Sequence, residues 1–242
     1  MNGYSRWANS KKASTGNDVV FLPATRPERT GQPRFYSRIL TAAEVEGYHR
    51  LASSDLSFDH YVWLCWSVKE SVYKYQKRLY PELLFSPLRI AIRQIVAPGG
   101  DVDHYAGVAD IVPGGGLPAT GLPAAGDTGS GDGPGETLYS RTLIRDGVIQ
   151  TVVSQDPTFA GTHAGFARID SPASADQSAA VRKLVLGELK TVLSCAELQL
   201  QKDPAGCPLV LAGENHLMTP IPVSLSHHHR YIGYSYYLNN VV

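Results

Sequence analysis

The sequence lacks the features that mark several classes of protein. Its 22 lysines and arginines equal its 22 aspartates and glutamates, so the chain has no basic excess of the kind that nucleic-acid-binding domains carry. No apolar run approaches the length of a membrane span, and residues 1–16 lack the apolar core of a signal peptide. We therefore predict a protein that binds neither nucleic acid nor membrane.

Cysteine is also scarce. The three cysteines, Cys65, Cys195 and Cys207, show no CxxC spacing, and their odd number leaves at least one unpaired. This pattern excludes a disulfide-rich secreted scaffold and indicates a reducing compartment. We therefore predict a cytoplasmic location.

The chain does have enough apolar sequence for a core. A hydrophobic content of 43% and a charged content of 18% suit one large domain or two small ones. Twelve of the 23 glycines fall between Gly99 and Gly135, where too little apolar surface is available to hold one shape. This segment lacks the GK[ST] ending of a phosphate-binding loop. We predict an N-terminal half over residues 1–97, a loop or linker over 98–137, and a C-terminal half over 138–242.

Helices and strands do not alternate strictly along the chain, which favours an α+β fold over a parallel doubly wound sheet. Asp146-Gly147 between two alternating runs indicates a hairpin. Thr41 with Glu44 forms a capping-box pattern, and Ser174 with Gln177 could form another. The predicted helices cover residues 41–51, 59–80 and 176–196. The predicted strands cover residues 19–23, 88–96, 138–145, 148–154, 198–201, 208–211, 223–226 and 231–238.

The helix predicted over residues 59–80 carries two stripes at about 100° per residue. One stripe is apolar and would dock on a core. The other combines Trp63 and Trp66 with Glu70, Lys74 and Lys77, a mixture that suits the wall of a cleft. A simpler interpretation is that Glu70 and Lys74, one turn apart, form an ordinary surface ion pair. The apolar stripe consists of Leu64, Val68, Val72, Tyr75 and Leu79.

Two further groups could take part in chemistry. Asp18 stands at the start of a strand, although an isolated aspartate often only caps a turn. Near the C-terminus, Ser226 and His227 begin a polar run that includes two more histidines and ends at Arg230. These histidines could lie in a solvated turn or bind zinc, but neighbours in a strand point to opposite faces and do not easily share one ion.

Three motifs in this order resemble the 4′-phosphopantetheinyl transferase superfamily. They are Gly16-x-Asp18 on a strand, the run from Trp66 to Lys74 (Trp-x-x-Lys-Glu-Ser-x-x-Lys) on a helix, and Ser224-Leu-Ser-His227 near a strand end. The flanking segments 38–44 and 202–208 are also similar to those of the family, and the resemblance covers most of the chain except residues 97–137. It implies transfer of the phosphopantetheine arm of coenzyme A to a serine of an acyl or peptidyl carrier protein. It also implies two similar α+β halves with the active site between them.

The resemblance assigns roles to particular residues. Asp18 and Glu70 would hold Mg²⁺, which typically takes one or two carboxylates together with phosphate oxygens. Lys74 would contact a phosphate, and Glu70 or a water on the metal would take the proton of the attacking carrier serine. Ser226 and His227 would hold the nucleotide phosphate of coenzyme A. Weaker candidates for its phosphates are Arg182, Lys183 and Lys202.

The order of the motifs has a further implication. The acid and Lys-Glu motifs precede the Ser-x-Ser-His motif, which is the reverse of the order expected in larger members of the family. The chain therefore looks like a two-half version with its halves exchanged in sequence, and we expect a monomer. Trp63 and Trp66 would pack between the halves. Because carrier proteins of this type are acidic, we expect a basic rim at Lys77 and Arg78.

Two positions depart from the pattern of the family. Val20 stands where many larger members have a second acid, and Cys207 stands where a lysine of a Gly-Lys-Pro element is common. These departures motivate an alternative function, a non-catalytic module that binds coenzyme A or a carrier protein.

Overall fold

The computed structural model describes residues 14–51, 56–99, 104–111, 137–194, 197–213 and 219–238. Cys195 and most of the predicted linker lie outside these ranges. Within them, no helix is both long and apolar enough to cross a membrane. The helices are α1 (Pro27–Thr30), α2 (Pro33–Tyr36), α3 (Ala42–Arg50), α4 (Phe58–Leu79) and α5 (Ser174–Leu193). The strands are β1 (Gly16–Phe21), β2 (Ile90–Val96), β3 (Tyr105–Ile111), β4 (Leu138–Arg145), β5 (Val148–Ser154), β6 (Thr162–Arg168), β7 (Leu198–Lys202), β8 (Pro208–Ala212), β9 (Thr219–His228) and β10 (Tyr231–Tyr237).

The strands form two five-stranded sheets. The first has the order β1-β5-β4-β3-β2 and the second the order β6-β10-β9-β8-β7. The strand pairs of the described residues are antiparallel, so the predicted α+β class is confirmed at this level. The hairpin β4–β5 completes the first sheet, whereas we had expected residues 138–242 to form the second half. The strand pairing thus divides the chain between β5 and β6.

Helix α4 covers one face of the first sheet. Leu64, Val68, Val72 and Tyr75 of the predicted apolar stripe are each at most 1% exposed, and Leu79 packs at the margin of the same core. Removing four such side chains from water is a large driving force, on the order of 1.5–3 kcal/mol for each of the aliphatic ones. The periodicity of the sequence therefore identified correctly the face that docks this helix.

Helix α5 covers the second sheet in the same way. Its buried residues Val181, Val185 and Leu189 recur every four positions and belong to the same core cluster as Val210 and Val223 of the sheet. The two cores are separate clusters, which makes each sheet with its helix a packed unit.

Local signals in the sequence were reliable where they specified a backbone conformation. The turn Asp146-Gly147 has positive φ at both residues (52° and 74°), as a type I′ hairpin requires. The capping box of α3 is present, since Glu44 N donates to Thr41 Oγ1 at 3.3 Å and Thr41 N donates to Glu44 Oε2 at 2.7 Å. Both predictions are confirmed.

The capping box predicted for α5 is wrong. The helix begins with Ala173 as its N-cap, without a side-chain cap, and Gln177 Nε2 donates instead to His229 O in the β9–β10 turn. Two strands were not predicted, β3 and β6. They contain Ala, Gly and polar residues, so neither presents the alternation from which a strand is recognised.

The two sheets meet along β1. This strand is at an edge of the first sheet, and β9 and β10 of the second sheet lie against it. Thr15 Oγ1 and Ser235 Oγ are 2.7 Å apart across this junction. Short polar side chains allow the backbones to approach closely here, and Gly233 has Val19, Asn17 and Ser226 within 3.3 Å of where a Cβ would be.

Candidate active site

Asp18 lies in β1 with its carboxylate toward α4. The residue is 5% exposed. Oδ1 accepts a hydrogen bond from Lys74 Nζ at 3.3 Å, whereas the buried Oδ2 has no partner among the described residues. Burial raises the pKa of Asp18 to about 7, against the effect of Lys74 and with a further contribution from Glu70. An exposed turn cap is therefore excluded, and one carboxylate oxygen is available to another cation.

Glu70 and Lys74 extend this group from α4. Lys74 Nζ lies 3.1 Å from Glu70 Oε1 and donates to Asn17 O at 3.0 Å. Burial lowers the pKa of Lys74, but Asp18 and Glu70 outweigh it, so the net shift is upward and the side chain stays protonated. The two α4 residues are thus part of a three-membered cluster that joins a helix to a strand, which rules out a simple surface pair.

Side chains of β9 occupy the free edge of β1. Asn17 N donates to Ser224 Oγ at 3.1 Å, and Phe21 N donates to His228 Nδ1 at 2.8 Å. An edge strand leaves alternate backbone N–H groups unpaired, and these two bonds satisfy such groups without extending the sheet. Both sheets thus fix the position of β1, and with it the position of Asp18.

The Ser-x-Ser-His motif lies at this junction, but its members point in different directions. Ser226 is buried, and its Oγ is 2.7 Å from the side-chain amide of Asn17. His227 is exposed. Partial burial of the ring lowers the pKa of His227; the charge of Lys74 lowers this pKa further, and the charge of Glu70 raises it. His227 therefore lies within reach of both charges. His228 bonds to Phe21 N, and His229 stacks on the Phe21 ring at 5.4 Å.

The zinc interpretation of these histidines has no support in this arrangement. The three rings have different surroundings, as just described. Within the described ranges, no three His, Cys, Asp or Glu side chains come together as a metal-binding group. Asp18 and Glu70, whose carboxylates both contact Lys74, stay the predicted ligands of a cation.

A cleft of about 220 Å³ opens beside Lys74. One wall is formed by α4, and the other by the β7–β8 turn and β9. Cys207 lies in the second wall, where burial raises its pKa, so the thiol is not activated as a nucleophile. The lining residues are Thr15, Tyr73, Lys74, Lys77, Arg78, Gly206, Cys207, Pro208, Val223, Ser224 and Leu225.

Lys77 and Arg78 do not form the basic rim that we expected. Arg78 Nη1 bonds Asp203 Oδ2 at 2.8 Å, and its Nη2 donates to Pro208 O at 2.7 Å and to Val223 O at 2.9 Å. Lys77 Nζ donates to the carbonyl oxygens of Pro81 and Leu83. Arg78 thus ties α4 to the second sheet, and both cations are engaged by groups of this chain.

The weaker phosphate candidates lie away from this cluster. Arg182 and Lys183 are exposed on α5, and Lys202 is exposed at the end of β7. Across the described ranges, no hydrogen bond or ion pair joins them to Asp18, Glu70 or Lys74. Their assignment stays a prediction.

Trp63 and Trp66 pack within the first unit, so the prediction that they pack between the halves is wrong. Trp63 Nε1 donates to Thr30 Oγ1 at 3.1 Å, and its ring lies 5.9 Å from that of Phe35. Trp66 meets Phe85 edge-on at 5.3 Å. The two tryptophans therefore face the α1–α2 segment and the loop before β2, which the helical periodicity could not specify.

Sequence reasoning missed the role of Lys69, the other lysine of the motif. Its side chain is fully buried, and Nζ donates to Glu44 Oε2 at 2.8 Å and to Ile39 O at 2.7 Å. A lysine between the buried positions 65 and 72 of the helix was the available signal. Lys69 therefore holds α3 and α4 together, while the side chain of its neighbour Glu70 is partly exposed and contacts Lys74.

A second missed feature is a basic surface on the α1–α2 segment, which we call the arginine surface. Arg26, Arg29, Arg34 and Arg38 line a cavity of about 470 Å³ there, together with Glu28, Gln32 and Phe35. The Arg29 guanidinium lies 5.2 Å from the centre of the Phe35 ring. Four arginines within thirteen positions were visible in the sequence, but their convergence depends on the turn between α1 and α2.

Residues 14–110 match the family model of the 4′-phosphopantetheinyl transferase superfamily. This match confirms the resemblance. The matched segment contains Asp18, Glu70 and Lys74, and it indicates a transferase of the phosphopantetheinyl type. No curated protein sequence matches the chain. Proteins of this superfamily act on carrier proteins with coenzyme A as substrate and typically use a divalent metal.

Proposed function

We propose that this protein transfers the 4′-phosphopantetheine arm of coenzyme A to a serine hydroxyl of an acyl or peptidyl carrier protein, in a Mg²⁺-dependent reaction. One observation carries the proposal: Asp18 and Glu70 converge on Lys74, which lines a cleft, and all three residues lie within the segment that matches the superfamily. The free thiols of Cys65 and Cys207 are compatible with a cytoplasmic protein.

The two sheets would be the two halves of a pseudo-dimer within one chain, with the active site between them. Support comes from the separate cores and from the junction at β1, where one half contributes Asp18 and the other contributes the Ser-x-Ser-His strand. The halves would comprise residues 14–154 and 162–237. Because both halves come from one chain, a monomer would be sufficient.

Asp18 and Glu70 would hold the metal ion. The fit rests on the unpartnered, buried Oδ2 of Asp18 and on the chemistry of carboxylates, the oxygen ligands that Mg²⁺ prefers. The position two residues after Asp18 is Val20, which is 3% exposed within the first core, so a second acid is not available there. When bound, the ion would neutralise charge that develops on the pyrophosphate oxygens.

The residues of the chain would act around the pyrophosphate as follows. Lys74 would contact a phosphate as a point charge, and His227 would reach the nucleotide phosphate from β9. Buried Ser226 would hold β9 against Asn17 and thereby position His227. In the reaction the serine oxygen bonds to phosphorus, the bond between the two phosphates breaks, and 3′-phosphoadenosine 5′-phosphate leaves. Glu70 would accept the serine proton.

The carrier protein would dock on the arginine surface. Thr30 and Phe35 of the α1–α2 segment contact Trp63, which is seven positions before Glu70 on α4. Seven residues of helix correspond to about 10 Å, so a partner bound here would stand next to the proposed site. An acidic partner would be attracted to four clustered arginines.

The deciding experiment is to mix the purified protein with coenzyme A, Mg²⁺ and several apo carrier proteins and to follow the carrier by mass spectrometry. We expect the carrier to gain the phosphopantetheine arm. Asp18→Asn and Glu70→Gln should each lower the rate about 10²–10⁴-fold, whereas the exposed control Glu46→Gln should not. Absence of the product with every carrier, or full activity in both site variants, would refute the proposal.

Val20 and Cys207 favour a second candidate, a module that binds coenzyme A or a carrier protein without catalysis. Such a module should bind coenzyme A in a titration by calorimetry, with no product formed at any metal concentration. A rate that depends on both the metal and Glu70 excludes this candidate.

A further inference from the structure

Lys74 is held by the same two carboxylates that would bind the metal ion. Its Nζ lies 3.3 Å from Asp18 Oδ1, 3.1 Å from Glu70 Oε1 and 3.0 Å from Asn17 O. These three acceptors match the three donors of an ammonium group. The lysine therefore occupies a complete cation position between β1 and α4.

The Lys74 ammonium and a divalent ion would compete for the same two carboxylates. Two carboxylates carry two negative charges, and Lys74 leaves them one. A second cation that binds the same oxygens loses part of their attraction and is repelled by the ammonium at close range, in surroundings where charges interact more strongly than in water. Tight metal binding and the observed position of Lys74 are thus in opposition.

The cleft offers Lys74 an alternative position. Its side chain is 22% exposed, compared with 6% for Asp18, and it lines the cleft of about 220 Å³. Lys77 and Arg78, the other cations of this lining, are bound to carbonyl oxygens and to Asp203. Among these cleft cations, Lys74 is the one whose acidic partners, Asp18 and Glu70, would instead bind the metal ion. A flexible four-carbon stem allows such a movement.

We propose that Lys74 competes with the metal ion for Asp18 and Glu70 and is released when an anionic ligand enters the cleft. This inference rests on the proposed function, because it uses the same metal position. It makes the binding of metal and of coenzyme A cooperative: phosphates draw the ammonium away, and the carboxylates become free for the ion. By linkage, the metal must raise the affinity for coenzyme A by the same factor.

The test is a titration with Mn²⁺, in which free Mn²⁺ is measured by electron paramagnetic resonance at pH 8, without substrate turnover. Lys74→Met removes the competing charge without adding a ligand and should tighten Mn²⁺ binding about tenfold. Lys74→Arg keeps the charge and should bind Mn²⁺ as weakly as the wild type. Lys77→Met removes one charge on the next turn of α4. If only the local competition matters, its Mn²⁺ affinity should differ from that of the wild type by less than about twofold.

A second titration includes coenzyme A. The wild type should gain more Mn²⁺ affinity from coenzyme A than Lys74→Met does. Unchanged or weaker Mn²⁺ binding by a folded Lys74→Met variant, with its melting temperature as the check, would overturn the inference. Glu70→Gln distinguishes a failure of this inference from a failure of the proposed function. If the Glu70→Gln variant binds Mn²⁺ like the wild type, the proposed metal site is wrong. Carrier modification by the wild type is tested independently of the Lys74 result.

Discussion

At the scale of single residues, two adjacent side chains of the Trp66–Lys74 motif have different surroundings and different roles. Lys69 is fully buried and pairs with Glu44 at 2.8 Å, whereas Glu70 is 27% exposed in its side chain and meets Lys74. The Glu44 carboxylate also accepts from the backbone N–H groups of Thr41 and Ile92. This buried carboxylate therefore joins α3, α4 and β2, and its charge is balanced by Lys69.

Lys69→Met should destabilise the protein by about 3–5 kcal/mol, because it leaves the buried charge of Glu44 without its partner. The double variant Glu44→Gln with Lys69→Met should recover part of this loss. Urea unfolding measures both. The matched control is Glu46→Gln, which breaks the exposed pair with Arg50 and should leave the unfolding midpoint unchanged. If Lys69→Met unfolds at the wild-type midpoint, the buried pair does not stabilise the fold.

At the scale of elements, the spacing between β1 and α4 sets the geometry of the site. A Cβ on Gly16 would overlap Ser71 O and lie 2.8 Å from Tyr75 N. The glycine of the Gly-x-Asp motif is therefore required by close backbone approach. This approach brings Lys74 within reach of Asp18, which follows two residues later on the same strand.

Gly16→Ala should push α4 away from β1 and lower kcat/KM for carrier modification by about 10²-fold, since displacements near 1 Å have such effects on positioned groups. The control is Gly187→Ala, in the middle of α5, where an added Cβ meets no atom within 4 Å. That change should preserve activity and raise stability by about 0.8–1 kcal/mol, the difference in helix propensity. Full activity in Gly16→Ala would show that the spacing is not critical.

The contact between β1 and β9 should depend on pH through His228. Burial lowers the pKa of this histidine below its usual value of 6.5, with a smaller contribution from His229, and Nδ1 must be unprotonated to accept from Phe21 N. The unfolded chain therefore binds the proton more readily. The contribution to stability is complete above pH 6.5 and is lost as the pH falls through the folded-state pKa.

His228→Gln should reduce the drop in melting temperature between pH 8 and pH 5.5. The drop should not vanish, because the pKa of His227 is lowered in the same direction. Thermal unfolding of both proteins at several pH values is the measurement. Identical curves for the wild type and the variant would exclude His228 as a source of the pH dependence.

At the scale of the whole molecule, the arginine surface is a basic region separate from the cleft, and we propose that the carrier docks there. Arg29→Glu with Arg34→Glu should raise the KM for an acidic carrier about tenfold at low salt, with little change in kcat. The difference from the wild type should shrink as salt is added. The control with equal charge change is Arg145→Glu with Arg168→Glu, at exposed positions outside this surface. An equal loss in the control would assign the effect to net charge rather than to docking.

The sequence supported predictions to different degrees at these scales. The hairpin at Asp146-Gly147 and the apolar stripe of α4 follow from local backbone chemistry and periodicity, so both could be predicted. The motifs identified Asp18, Glu70 and Lys74, but their distances depend on packing between β1 and α4. The engagement of Arg78 by Asp203 spans 125 positions, and no local pattern reveals such a contact. For the same reason, the surroundings of Trp63 and Trp66 could not be derived.

The junction at β1 also has a consequence for how the protein folds. Thr15 and Ser235 are 220 positions apart in the chain, and β1 pairs with β5, which is synthesised more than 120 residues later. Contacts between such distant parts of a chain form slowly because loop closure precedes their stabilisation. The free edge of β1, the strand that carries Asp18, is covered by β9, and the Asn17–Ser224 contact that helps to cover it joins residues 207 positions apart. The candidate site is therefore completed only after β9 has been synthesised, by contacts between distant parts of the chain.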